Sequence, residues 1–146
     1  MMDADLDAAL RAVEASGRSR NRITRHHARP VLLSIGERLL DGRTEEAEEA
    51  LARVSRLPGA LREPFQAAVL DELAMACTEF VRSVDPRYLD RPDYDLDYTV
   101  TARHRLEARL RAAQRLGVLP DAPTLDQVRR TDQLLGSRTD ARRTKS

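Results

Sequence analysis

Apolar residues recur along this chain at spacings of three and four, and six stretches carry that period. Leu6, Ala9, Leu10 and Val13 predict a first helix over about Asp3–Ala15, with Asp3, Asp5 and Asp7 where the helix dipole favours negative charge. Ser16-Gly17 should stop it. Pro30 either kinks a helix begun near Asn21 or opens the next one at its first position. Val31, Leu32, Leu33, Ile35, Leu39 and Leu40 are apolar on most sides, so this short helix is expected to be central and to end at Gly42. Thr44 is a suitable N-cap for a third helix, whose narrow stripe is Ala47, Ala50, Leu51 and Val54. Pro58-Gly59 then breaks the chain.

The longest and most apolar period runs from about Leu61 to Val84. Phe65, Val69, Leu73, Ala76, Cys77, Phe80 and Val84 form one stripe, widened by Leu70, Ala74 and Val81, and a stripe that broad needs two or more covering neighbours. A fifth helix is predicted over about Thr99–Leu116, with Ala102, Leu106, Leu110 and Ala113 inward and Gly117 as its C-terminal stop. Thr124 and Gln127 have capping-box spacing and signal a sixth helix, expected to end at Gly136. No stretch alternates long enough to predict a strand, and no repeat of 20–50 residues emerges. The expectation is an all-α, single-domain bundle of five to six amphipathic helices with no sheet, spanning 1–136. A disordered basic tail, 137–146, should follow.

Composition narrows the function classes. Charged residues make up 34% of the 146-residue chain, above the about 25% of an average domain, which predicts long solvated helix faces. A formal net charge of +1 means that no global field favours nucleic acid or membrane. Lys145 is the only lysine against 24 arginines, a bias that reads as GC-rich coding because Arg also replaces Lys on plain helix faces. With Cys77 as the only cysteine, no internal disulfide or cysteine metal cluster can form, which fits a reducing cytoplasm. The acidic N-terminus has no apolar signal segment, and no apolar run approaches membrane-spanning length.

All three tyrosines fall within residues 85–98, beside five Asp, with Pro86 and Pro92. Tyr carries a flat apolar body and a polar tip, and it contacts a partner at low entropy cost. Tyr88, Tyr94 and Tyr98, with Asp93, Asp95 and Asp97, are therefore the expected protein-contact residues. The bland alternative is a solvated loop whose last Asp caps the following helix. A calcium loop is the weaker reading, because the positions that need Gly and Glu hold Tyr98 and His104.

Arg18, Arg20, Arg22, Arg25 and Arg29 form a basic run without an acid, suited to phosphate, but no aromatic or recognition element accompanies it. This protein's own acidic 85–98 segment, or that of a second subunit, is an equally good partner for the run. His26-His27 and His104 match no metal-binding spacing, and Cys77 reads as a small core hydrophobe. No nucleophile elbow, P-loop or dinucleotide-binding glycine pattern occurs, so no catalytic residue, metal or cofactor is assigned. The expected function is a non-catalytic helical module that binds a protein partner and self-associates. A weak, sequence-independent nucleic-acid binder using the 18–29 run and the tail is the runner-up, and an enzyme comes third.

Overall fold

The computed structural model describes the backbone of residues 4–19, 22–89 and 91–144, and side chains through 137 apart from 17–19. Six α-helices and no strand occur among the described residues. They are α1 (Ala4–Ser19), α2 (Arg25–Leu40), α3 (Thr44–Ser55), α4 (Gly59–Ser83), α5 (Leu96–Arg115) and α6 (Ala122–Thr144). The all-α reading holds, with six helices at the upper end of the expected count.

Two of the predicted stops work, and for the same reason. Gly42 and Gly117 adopt φ of 75° and 77°, the left-handed conformation that costs other residues a Cβ clash. At each, two backbone N–H groups reach back to the last turn: Arg43 to the Arg38 carbonyl (2.8 Å) after α2, and Val118 to the Ala113 carbonyl (2.9 Å) after α5. Gly17 and Gly136 do not stop their helices. α1 continues to Ser19, and α6 passes Gly136 and stays helical to Thr144, where a disordered tail was expected. Residues 145 and 146 lie outside the described residues. Gly42 and Gly117 stop their helices by turning left-handed themselves, whereas Gly136 keeps a helical backbone.

The starts also shift. α5 begins at Leu96, one turn before the predicted Thr99, because Asp95 accepts the Tyr98 N–H (3.0 Å) and caps the helix there. α6 is capped by Asp121, which accepts the Thr124 N–H (2.9 Å), in place of the Thr124–Gln127 box. Pro30 lies inside α2, exposed, where its missing N–H costs a helical hydrogen bond.

The chain packs as two units. The first comprises residues up to Leu73 together with Glu107–Leu119. Its core is built from Leu6, Leu10 and Val13 of α1, Val31, Leu32 and Ile35 of α2, Ala47, Ala50 and Val54 of α3, Phe65, Val69 and Leu73 of α4, and Ala112 and Ala113 of α5. α2 and α5 approach closely here, because Gly36 faces the Ala108 backbone and has no Cβ to hold it off. Ion pairs bind the outer edges: Arg53 of α3 bridges Asp7 and Glu14 of α1, each at 2.5 Å, and Arg115 of α5 pairs with Glu48 of α3.

The second unit comprises Ala74–Leu106 and the residues from Pro120 onward. Ala76, Cys77, Phe80 and Val84 continue the α4 stripe, and Leu89, Thr99, Leu106, Thr131 and Leu135 are buried in the same unit. Arg103 of α5 forms a bidentate pair with Asp132 of α6. The α4 stripe is narrower than predicted: Leu70 and Ala74 face solvent. In the first unit the stripe includes an acid, Glu72, which is 1% exposed.

Candidate functional site

The Tyr/Asp segment connects α4 to α5 within the second unit. Asp85 starts it: its carbonyl accepts the N–H groups of Tyr88 (3.0 Å) and Leu89 (3.1 Å), a helical turn that does not propagate. Its carboxylate accepts the Arg87 backbone N–H (2.9 Å) and two guanidinium donors. Those hydrogen bonds from Arg87 hold the Asp85 carboxyl below its ordinary range. Leu89 is buried and pins the middle of the segment.

The three tyrosines have different roles. The Tyr94 hydroxyl donates to the Ser83 carbonyl in the last turn of α4 and lies 3.0 Å from the Thr99 hydroxyl of α5. Ser83 is one of the carbonyls that a helix end leaves without an intrahelical donor, so Tyr94 caps α4 from across the connection. Tyr94 is half-buried and works inside the unit. Tyr88 is 38% exposed, with the Arg91 and Arg87 guanidiniums 4.4 and 5.4 Å from its ring centroid, within cation–π range. Tyr98 is 63% exposed on the first turn of α5, where its backbone N–H donates to the Asp95 cap.

The aspartates divide likewise. Asp95 spends an oxygen on the α5 cap, whereas Asp93 and Asp97 are exposed and form no ion pair among the described residues. Asp97 lies in the first turn of α5, where the dipole favours it. Among the described residues, no group of three or more His, Cys, Asp or Glu converges as a metal site. The outward part of the expected site, unpaired among the described residues, is therefore Tyr98, Asp93 and Asp97, while the exposed Tyr88 is engaged with its arginines.

The basic run is divided as well. Arg20 and the side chain of Arg18 lie outside the described residues, and Arg22 is exposed. Arg25 and Arg29, one turn apart on α2, both reach Glu72, at 3.8 and 2.9 Å. Arg109 of α5, itself buried, lies 3.3 Å from the same carboxylate. Three guanidiniums thus converge on one acid at the centre of the first unit, and two of them belong to the basic run, for which phosphate and the acidic 85–98 segment were the alternative partners. Sequence reasoning missed Glu72, although the signal was there. It follows Ala68 by four and Val69 by three on the core face, and an acid at such a position needs a cation.

Compared with known protein families, curated proteins and solved structures, the chain matches none of them.

The other candidates settle locally. His27 is the third residue of α2, and its Nδ1 accepts the Thr24 N–H (3.1 Å), a capping role usually filled by Glu or Gln. His26 is exposed beside Arg22 and Asp71 in a groove between α2 and α4 of the first unit. His104 is exposed on α5, with no hydrogen bond or ion pair to Asp93, Asp95 or Asp97. Cys77 is buried, and burial pushes its thiol up from an ordinary 9.0, so it stays protonated and poorly nucleophilic. No helix among the described residues is long and apolar enough to cross a membrane.

Proposed function

We propose that this protein is a non-catalytic helical interaction module that self-associates and meets protein through the Tyr98 face at the start of α5. The observation that carries the reading is Tyr98 itself, a large aromatic 63% exposed on a helix turn held by the Asp95 cap. A preorganised aromatic loses little entropy on binding, and a few such residues carry most of the energy of a contact patch. Asp97 beside it and Asp93 just before, both without an ion pair among the described residues, favour a basic partner surface and speed encounter more than they tighten binding. Tyr88, with two arginines already over its ring, is the less available of the two exposed tyrosines.

The nucleic-acid reading has less support than the sequence offered. Arg25 and Arg29 are directed to Glu72, and the groove that Arg22 and Arg25 line also holds the Asp71 carboxylate.

Sedimentation of the wild type and of Tyr98→Ala at tens of micromolar tests the proposal. The expected result is a wild-type dimer whose dissociation constant rises tenfold or more in the variant, about 1.4 kcal/mol, with an unchanged melting temperature. A wild-type monomer, or a dimer indifferent to Tyr98, would remove the reading.

A further inference from the structure

A cleft of about 230 Å³ opens in the first unit between α3, α4 and the end of α5. Its floor is apolar: Val54, Phe65 and Val69 are buried core residues, and Leu116 and Val118 are half-buried walls. An apolar cavity of roughly 150 Å³ already holds a benzene-sized guest, and drug-sized ligands fill about 300–1,000 Å³. A single ring or a short acyl chain therefore fits this one, and a larger lipid does not.

The rim is charged, and unevenly so. Arg115 is matched by Glu48. Arg62 is not matched: its Nη2 donates to the Ser55 and Leu57 carbonyls at the C-terminal end of α3, and no acid pairs with it among the described residues. Those two carbonyls fix the guanidinium at the mouth of the cleft, while Nε and Nη1 keep their donors. The exposed Gln66 amide stands one turn further along α4 on the same rim. A guanidinium held by neutral carbonyls retains its full charge, and its planar donors suit a carboxylate.

We infer that this cleft binds a small amphipathic carboxylate, with the apolar tail against Phe65 and Val69 and the carboxylate on Arg62. The inference is independent of the Tyr98 surface, which belongs to the other unit.

Methyl-resolved NMR of the whole protein, titrated with octanoate and separately with 1-octanol, tests it. Octanoate should shift the Leu51, Val54, Val69, Leu116 and Val118 methyls saturably, show nuclear Overhauser contacts to the Phe65 ring, and bind at least tenfold more tightly than the alcohol. Arg62→Gln should abolish that tenfold preference while leaving octanol binding within twofold. Absence of saturable shifts at these methyls, or equal binding of alcohol and acid by the wild type, would overturn the inference. So would a folded Arg62→Gln variant that keeps the preference. If that variant does not fold, the wild-type ratio and the Phe65 contacts decide alone.

Discussion

Gly36→Ala should destabilise this protein, although alanine is the better helix former. A Cβ built at Gly36 lies 1.9 Å from the Ala108 carbonyl oxygen, 2.3 Å from its carbon and 2.7 Å from its Cα. All three are backbone atoms of α5, so no rotamer change relieves the clash. Ordinary contact begins at 3.4 Å, so the two helices must separate locally by about 1.5 Å. A radial gap of even about 0.5–1 Å forfeits a quarter to a half of the dispersion energy of atoms already in contact. Val31, Leu32 and Ile35 on α2, with Ala112 and Ala113 on α5, belong to the core that would loosen. Overpacking of this kind costs about 1–3 kcal/mol, and a backbone-to-backbone clash belongs at the upper end. Replacing glycine in a helix interior returns about 0.8–1 kcal/mol. The net expectation is a loss of about 2 kcal/mol and a melting temperature roughly 4–8 °C lower. Gly136→Ala is the matched control: this glycine is also helical, but its Cβ meets nothing within 4 Å. That variant should gain about 0.5–1 kcal/mol from propensity alone. Thermal melts followed by circular dichroism measure both. If Gly36→Ala melts at or above wild type, the close approach of α2 and α5 is not what glycine serves there.

Other outcomes follow from the buried polar groups. Glu72→Ala removes the acid on which Arg25, Arg29 and Arg109 converge, and loss of one partner from a buried ion network costs about 3–5 kcal/mol. A variant with wild-type urea stability would show that the cluster contributes nothing. Tyr94→Phe deletes the hydroxyl that caps Ser83 and should cost about 0.5–1.5 kcal/mol without altering self-association, whereas Tyr98→Ala should do the reverse. The same effect from both substitutions would contradict the division of the segment. The Arg53 hydrogen bond holds the Asp7 carboxyl below its ordinary 3.8. Because the folded-state value is depressed, the stability it adds is complete above about pH 4 and is lost as pH falls through the folded value. The gap in melting temperature between wild type and Asp7→Asn should therefore close on acidification from neutral pH. A gap that stays constant down to about pH 2 would argue against this linkage.

The helical pattern was legible in the sequence because it is a local property. A period of three to four needs only side chains within one or two turns of each other, so all six helices and most of the core face of α4 could be placed. Gly42 and Gly117 were legible for the same reason, since a left-handed residue is selected by its own missing Cβ. Helix starts were less so. Asp95 and Thr99 are both acceptable places to begin α5, and which one acts depends on where the preceding segment leaves its carboxylate.

The site was legible as a location and not as a set of roles. Composition marks 85–98 as unusual, but it does not separate Tyr94, turned in to Ser83 and Thr99, from Tyr98, turned out to water. That division arises when the end of α4 and the start of α5 present an orphan carbonyl and a hydroxyl to the same ring. The charges needed tertiary structure most. Arg25 and Glu72 are 47 positions apart, and Arg109 is 37 further on, so nothing local pairs them. Along the chain Arg25 and Arg29 belong to a basic run open to phosphate; in the fold they face a buried acid, because removing Glu72 from water without a cation would cost more than ordering two arginines. Sequence alone determined the six helical segments but not all of their ends, since 137–144, expected as a disordered tail, is helical. Packing decided which of their charges remain available to a partner, because that depends on contacts between residues far apart in the chain.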